Sequence, residues 1–236
     1  MKIYNFLSIA FATLFLFSCD KETENLSRPT YYVAFEILGD NPAIVQVGER
    51  YVDAGVVATM QGSNVTSSVK TVSNVDFEEM GMYSVEYSAT NVDGLKSRAI
   101  RDVIVCNPSV TTNLAGRYTG QEGTKRFALV TGAIVDYPGY HATITFLAPG
   151  FFQINDFFGG YYAERVYPNS GYASVGMSGY FALNTDNTIS LVSSYIVAWG
   201  DGLDKLENGK YDPETGEISW DAYYAGLYNF HVILNK

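Results

Sequence analysis

Short runs of alternating apolar and polar residues, each closed by glycine, asparagine, aspartate or proline, recur along the chain. Residues 83–89 carry the pattern most cleanly: Tyr83, Val85, Tyr87 and Ala89 would share one strand face, with Ser84, Glu86 and Ser88 on the other. Successive side chains of a strand point to opposite sides, so a period of two gives one apolar face and one wet face. No stretch sustains the 3.6-residue period of an amphipathic helix, and the abundance of Tyr (19) and Gly (22) suits strands and tight turns. The chain is therefore expected to be all-β.

Turn chemistry divides it. Asn91-Val92-Asp93-Gly94 supplies a turn after the clearest strand. Asn107-Pro108 interrupts the chain after the apolar run 103–106, and the polar stretch 109–113 follows, which places a domain boundary there. The two domains are then 31–107 and 110–236. In the second, strands are expected at 117–119, 127–135, 141–147, 151–155, 173–183, 188–194, 217–220 and 228–234. Asp186-Asn187 and Asp212-Pro213-Glu214-Thr215-Gly216 read as hairpin loops. About eight antiparallel strands in such a length make either an antiparallel β-barrel or a flattened β-sandwich.

The N-terminus has a separate job. Lys2 precedes an apolar stretch of about 15 residues, long enough for a secretory leader and too short to span a bilayer. Leu16-Phe17-Ser18-Cys19 resembles the lipobox of bacterial lipoproteins, although Phe17 is bulkier than that motif usually has. The resemblance implies that residues 1–18 are a lipoprotein signal peptide and that Cys19 carries the lipid anchor. Asp20-Lys21-Glu22-Thr23-Glu24-Asn25 has no apolar periodicity, so 19–30 is expected to be a flexible acidic tether. Acidic residues directly after the anchor resemble the surface-export signal of Bacteroidetes-type lipoproteins, which implies the outer face of the outer membrane. Without the leader the chain keeps 14 cationic against 25 acidic residues, a net charge of −11. That charge repels phosphate backbones, so no nucleic-acid partner is expected. Cys106 is then the single cysteine besides Cys19, which forbids an internal disulfide, and it reads as a small buried hydrophobe.

Residues 31–106 resemble a bacterial Ig-like domain of the crystal-toxin type. The carriers are Ile44-Val45-Gln46-Val47-Gly48-Glu49, Tyr51-Val52-Asp53-Ala54-Gly55-Val56, Val75-Asp76, Met80-Gly81-Met82-Tyr83-Ser84-Val85-Glu86-Tyr87, the turn at Asn91 and Arg101-Asp102-Val103-Ile104-Val105. That family usually has Pro at Ala54 and Asp at Asn91. The resemblance implies a β-sandwich acting as a spacer. Residues 110–236 resemble the C-terminal domain of Bacteroidetes lipoproteins that accompany SusC/SusD-type importers. Here the carriers are Leu114-Ala115-Gly116-Arg117-Tyr118, Asp156-Phe157-Phe158-Gly159-Gly160-Tyr161-Tyr162, Trp199-Gly200-Asp201, 206–213 and 216–220. This second resemblance implies an accessory lipoprotein of a nutrient-uptake system, in the position of SusE- and SusF-like glycan binders, with no substrate carried over.

The residues offer little for catalysis. Only His141 and His231 could serve as imidazole bases, and both sit in apparent strands, as surface or interstrand side chains. No Gly-x-Ser-x-Gly elbow, His-Glu-x-x-His site or phosphate-binding loop is present. Asp156, Asp201, Asp204, Glu207 and Asp221 show no spacing that singles out a glycosidase pair. Asp201-Gly202-Leu203-Asp204 with Glu207 has oxygen ligands suited to calcium, but not the spacing of an EF-hand loop, and reads better as a solvated acidic turn. No catalytic residue, metal or cofactor is expected.

Aromatic clusters are the richer signal. Phe157-Phe158-Gly159-Gly160-Tyr161-Tyr162, Trp199 and Tyr223-Tyr224 lie in glycine-broken segments. Flat rings outside a core grip sugars, peptide side chains or partner proteins, whereas the same rings inside a small barrel simply fill it. Trp220, alternating with Ile218, reads as core; for Tyr161, Tyr162 and Trp199 both readings stand. The leading expectation is a non-enzymatic surface lipoprotein that binds a glycan or oligopeptide for a SusC/SusD-type importer. The alternatives are a structural lipoprotein that braces the importer complex and, last, a surface glycoside hydrolase.

Overall fold

The computed structural model describes residues 29–236. The leader at 1–18, Cys19 and the tether up to residue 28 lie outside the described residues.

Seven strands build the first unit: β1 (Ala34–Ile37), β2 (Ala43–Gln46), β3 (Val56–Met60), β4 (Ser63–Asn64), β5 (Lys70–Ser73), β6 (Gly81–Thr90) and β7 (Lys96–Cys106). One sheet runs β1-β3-β4 and the other β2-β7-β6-β5, with β2 parallel to β7 and every other pairing antiparallel. The alternation of β6 now has its cause. Val85, Tyr87 and Ala89 are 0, 1 and 3% exposed, while Glu86 faces outward beside Lys96 and Arg98. Val56, Val85, Tyr87 and Val103 form the sandwich core. Asp53 ties it together. The Tyr87 hydroxyl lies 2.6 and 2.8 Å from its two carboxylate oxygens, Tyr51 donates at 2.9 Å, and Arg101 Nε stands 3.3 Å away. Arg101 is itself buried and donates to the carbonyls of Leu38 and Gly55, so its charge is enclosed but partnered. At the expected turn, the Asn91 side-chain oxygen accepts from the N–H groups of Asp93 and Leu95, and its amide donates to the Tyr31 carbonyl at 2.7 Å. A carboxylate could not make that last bond, which accounts for Asn at this position.

The second unit contains β8 (Gly116–Gly120), β9 (Lys125–Ala128), β10 (Ile134–Asp136), β11 (His141–Ala148), β12 (Phe151–Ile154), β13 (Ser178–Leu183), β14 (Ile189–Tyr195), β15 (Lys205–Tyr211), β16 (Ile218–Tyr224) and β17 (Tyr228–Asn235). They form one antiparallel sheet. β14-β13-β12-β11-β8-β17 continues through β16 to β15, and the β9–β10 hairpin pairs with β17 on the side of β8. The sheet curls into a half-barrel. Its far edges meet at the Thr188–Lys210 bridge and at the Tyr211 N–H donated to the Asn187 carbonyl at 2.9 Å. Of the two expected forms, the curled sheet is therefore the barrel-like one.

Two expected elements are corrected, and one strand has no counterpart in the sequence pattern. Residues 127–135 are not one strand: the chain turns after Ala128, whose N–H donates to the Ala133 carbonyl, and Gly132 takes φ 72° there. Residues 173–183 open instead with a single helical turn, α1 (Tyr172–Val175). A Cβ at Gly176 would lie 2.7 Å from the Asn155 and Tyr172 carbonyl oxygens, so a continuous side-chain-bearing strand cannot pass there. β15 was not expected at all, because Lys205-Leu206-Glu207-Asn208-Gly209-Lys210-Tyr211 is too polar to show a period of two.

The units meet through an apolar cluster. Ile104 and Cys106 of β7 pack with Ala148 and Phe151, flanked by Met82, Leu147, Tyr180 and Val192. Burial pushes the Cys106 thiol above its usual range, consistent with a packed, unreactive side chain.

Candidate functional site

The segment after β12 organises the open end of the half-barrel. Asp156 is fully buried and accepts N–H groups of Phe158 at 2.9 Å, Gly160 at 3.0 Å and Met177 at 3.0 Å. Burial pushes its carboxyl up to about 7, against the opposing pull of those three N–H groups. Gly159 and Gly160 take φ 61° and 86°, and a Cβ on Gly160 would fall 2.8 Å from Tyr140 Cβ and 2.9 Å from the His141 nitrogen. Only glycine fits that approach.

From Gly160 the chain enters a π-helical turn, Tyr161–Val166. Such turns are rare and cluster at functional sites. Glu164 fastens it: His141 Nδ1 lies 2.9 Å from one carboxylate oxygen, and the Tyr172 hydroxyl lies 2.5 Å from the other and 2.7 Å from the His141 carbonyl. His141 thus joins β11, the π-turn and α1. The loop after β14 is held in the same way, the Ala198 N–H donating to the Ser174 carbonyl of α1 at 2.9 Å.

This frame sorts the seven aromatic candidates. Phe157 and Phe158 are 0% exposed and offer no face to a ligand or partner; they pack against Trp220 at 5.7 Å and Phe230 at 4.1 Å. Trp220 is core and donates its Nε1–H to the Phe157 carbonyl at 2.8 Å. Tyr161 and Tyr224 are also buried, Tyr224 with its hydroxyl 2.9 Å from Asp201. Tyr223, next along β16, falls on the opposite sheet face under Lys205 at 4.4 Å. Tyr162 and Trp199 remain, and they are brought together: their ring centroids are 4.9 Å apart. Tyr167 completes the group at 6.2 Å from Tyr162 and 6.4 Å from Trp199. Trp199 and Tyr167 are 43 and 44% exposed, and Tyr162 is half-buried beneath them.

A cation adjoins this surface. The Arg126 guanidinium lies 4.6 Å from the Tyr228 ring and 5.1 Å from that of Tyr161, and Arg165 lies 5.4 Å from Tyr161. Arg126 Nε is buried with no hydrogen-bond partner among the described residues. Burial pushes the Tyr162 hydroxyl up to about 12, partly offset by nearby Arg126. Tyr167, Arg126, Arg165 and Tyr228 were not anticipated. The first follows a π-turn that has no sequence signature, and the arginines come from segments far apart in the chain. The acids considered for a cation turn have other partners: Asp201 binds Tyr224, Asp204 accepts the Gly226 N–H, and Glu207 pairs with Lys205. Elsewhere, a cleft of about 540 Å³ separates the two units, lined by Glu78, Glu79, Met80, Asn107 and Asn184, with Tyr83 as its ring.

Residues 35–105 match the bacterial surface protein Ig-like domain family, and residues 107–236 match a C-terminal-domain family. The solved structure of the lipoprotein BT2262 from Bacteroides thetaiotaomicron is 36% identical, covers 87% of this chain and 100% of its own, and superposes with a TM-score of 0.49. This chain belongs to that lipoprotein family. Two solved structures of Clostridium perfringens ZmpB also match, one of them CBM51-2 in complex with GlcNAc; both are 21% identical, cover 52% and 53% of this chain and 29% and 14% of their own, and have TM-scores of 0.27 and 0.28. Among curated proteins none matches.

Proposed function

We propose that this lipoprotein is a non-enzymatic glycan-binding component of the outer-membrane surface, working beside a SusC/SusD-type importer. The observation that carries the reading is the ring group of Tyr162, Tyr167 and Trp199, in which Tyr167 and Trp199 face solvent over Tyr162 of the braced π-turn. Exposed flat rings at a rigid site stack on sugar faces at little entropic cost. Membership of a lipoprotein family supports the membrane setting.

The test is calorimetric titration of the full mature chain against a polysaccharide panel, with Trp199→Ala alongside. Binding that weakens about tenfold in the variant, corresponding to about 1.4 kcal/mol, is the expected result. Because Trp199 is 43% exposed and its ring packs on Tyr162, the variant should melt about 2–4 °C lower while staying folded at the titration temperature. Binding of oligopeptides but no glycan would overturn the reading.

A further inference from the structure

The ring surface has a charge requirement that a neutral sugar leaves unmet. After removal of the leader the chain carries 25 acidic residues against 14 basic ones, so carboxylates are plentiful. Yet none is placed against Arg126: among the described residues neither Arg126 nor Arg165 forms an ion pair. The nearby acids are engaged elsewhere. Asp156 accepts three backbone N–H groups, Glu164 holds His141 and Tyr172, and Asp201 accepts the Tyr224 hydroxyl. Arg126 meanwhile is half-buried, fixed over two tyrosine rings, with an Nε that has no acceptor among the described residues. A partly desolvated cation without a counter-charge is costly to maintain, and the same desolvation makes it a stronger partner for an incoming anion. It also acts directly on the ring group, since its charge reaches the half-buried Tyr162 hydroxyl, and Tyr162 touches Trp199.

We propose that the ligand is an anionic glycan whose uronate carboxylate meets Arg126, with Arg165 beside it, while a neighbouring sugar ring stacks on Trp199 and Tyr167. The inference rests on the glycan reading above. The planar guanidinium fork matches a planar carboxylate in two parallel hydrogen bonds, and dextran sulfate tests the tetrahedral anion that the same fork can also grip.

The experiment compares polygalacturonate, dextran sulfate and neutral dextran as ligands of the full mature chain, at low and high salt. Polygalacturonate should bind most tightly, and salt should weaken it. Arg126→Gln should cost about tenfold or more for polygalacturonate, a loss of about 1.4 kcal/mol, and so narrow the gap between polygalacturonate and neutral dextran. Trp199→Ala should weaken every glycan that binds. Should Arg126→Gln fail to fold, Arg165→Gln and the salt dependence of the wild type probe the same charge contact. Equal affinity for dextran and polygalacturonate, indifferent to Arg126→Gln, would overturn the anionic ligand and leave the glycan reading standing. Dextran sulfate binding more tightly than polygalacturonate would overturn the choice of carboxylate. No glycan binding by the wild type, or glycan binding untouched by Trp199→Ala, would sink both.

Discussion

Asp156 is a carboxylate with three N–H donors and no solvent exposure, and the two influences oppose each other. Burial wins, so the folded protein keeps the proton up to about pH 7, whereas an ordinary aspartate titrates near 3.8. Between those values the folded state binds more protons than the unfolded state, so stability falls as pH rises. The contribution is complete below about pH 4 and gone above about pH 7. Asp156→Asn should remove that slope, leaving a constant offset from the lost acceptor. Urea unfolding of both proteins from pH 4 to pH 8 measures it, and parallel curves would refute the account. Single residues were unevenly legible. Trp220 declared itself through its alternation with Ile218, because strand periodicity reports directly on which face is buried. Phe157 and Phe158 could not, because their inward direction comes from Asp156 gathering N–H groups from Phe158, Gly160 and distant Met177.

Among elements, the π-turn depends on a glycine rather than on any helix-forming sequence. Gly160→Ala would force a side chain into φ 86° and into the backbone of His141, so a loss of about 3 kcal/mol is expected. Gly132→Ala, at φ 72° with nothing within 4 Å, should cost about 1 kcal/mol, for the backbone alone. Chemical denaturation of the two variants separates steric from conformational cost; equal losses would mean that the close approach at Gly160 is relieved by movement. The same contrast explains which elements could be read. Strands with one wet face were found from their period, as in β6 and β17. β15 was invisible because it is a polar strand meeting β14 at little more than one bridge, and the β9–β10 turn was hidden because Leu129 and Val130 keep the run apolar although both are exposed.

At the scale of the whole molecule, Ile104 and Cys106 belong to one unit and pack into the other, with Ala148 and Phe151 fully enclosed between them. Apolar contact of this kind couples unfolding, so calorimetry of the wild type should give one transition. Ile104→Ser, which places a hydroxyl in that cluster, should split it into two. A single transition in the variant would show that the coupling lies elsewhere. The all-β class and the Ig-like half were legible because local alternation and turns encode them. The juxtaposition of Arg126, Tyr162 and Trp199 was not, since it arises only when the sheet curls.

The direction of β6 and β7 has a mechanical consequence. β6 runs away from the contact with the second unit, from Gly81 to Thr90, and β7 returns to it at Cys106. The chain therefore enters the Ig-like unit beside the Asn91 turn, where Tyr31 is bound, and leaves it at the opposite pole, a strand length of about 33 Å away. A pull between the two ends acts along the strands, so the parallel β2–β7 pair, which ties the entry side of the chain to its exit strand, is loaded in shear. The hydrogen bonds of that pair must then yield together instead of opening one at a time.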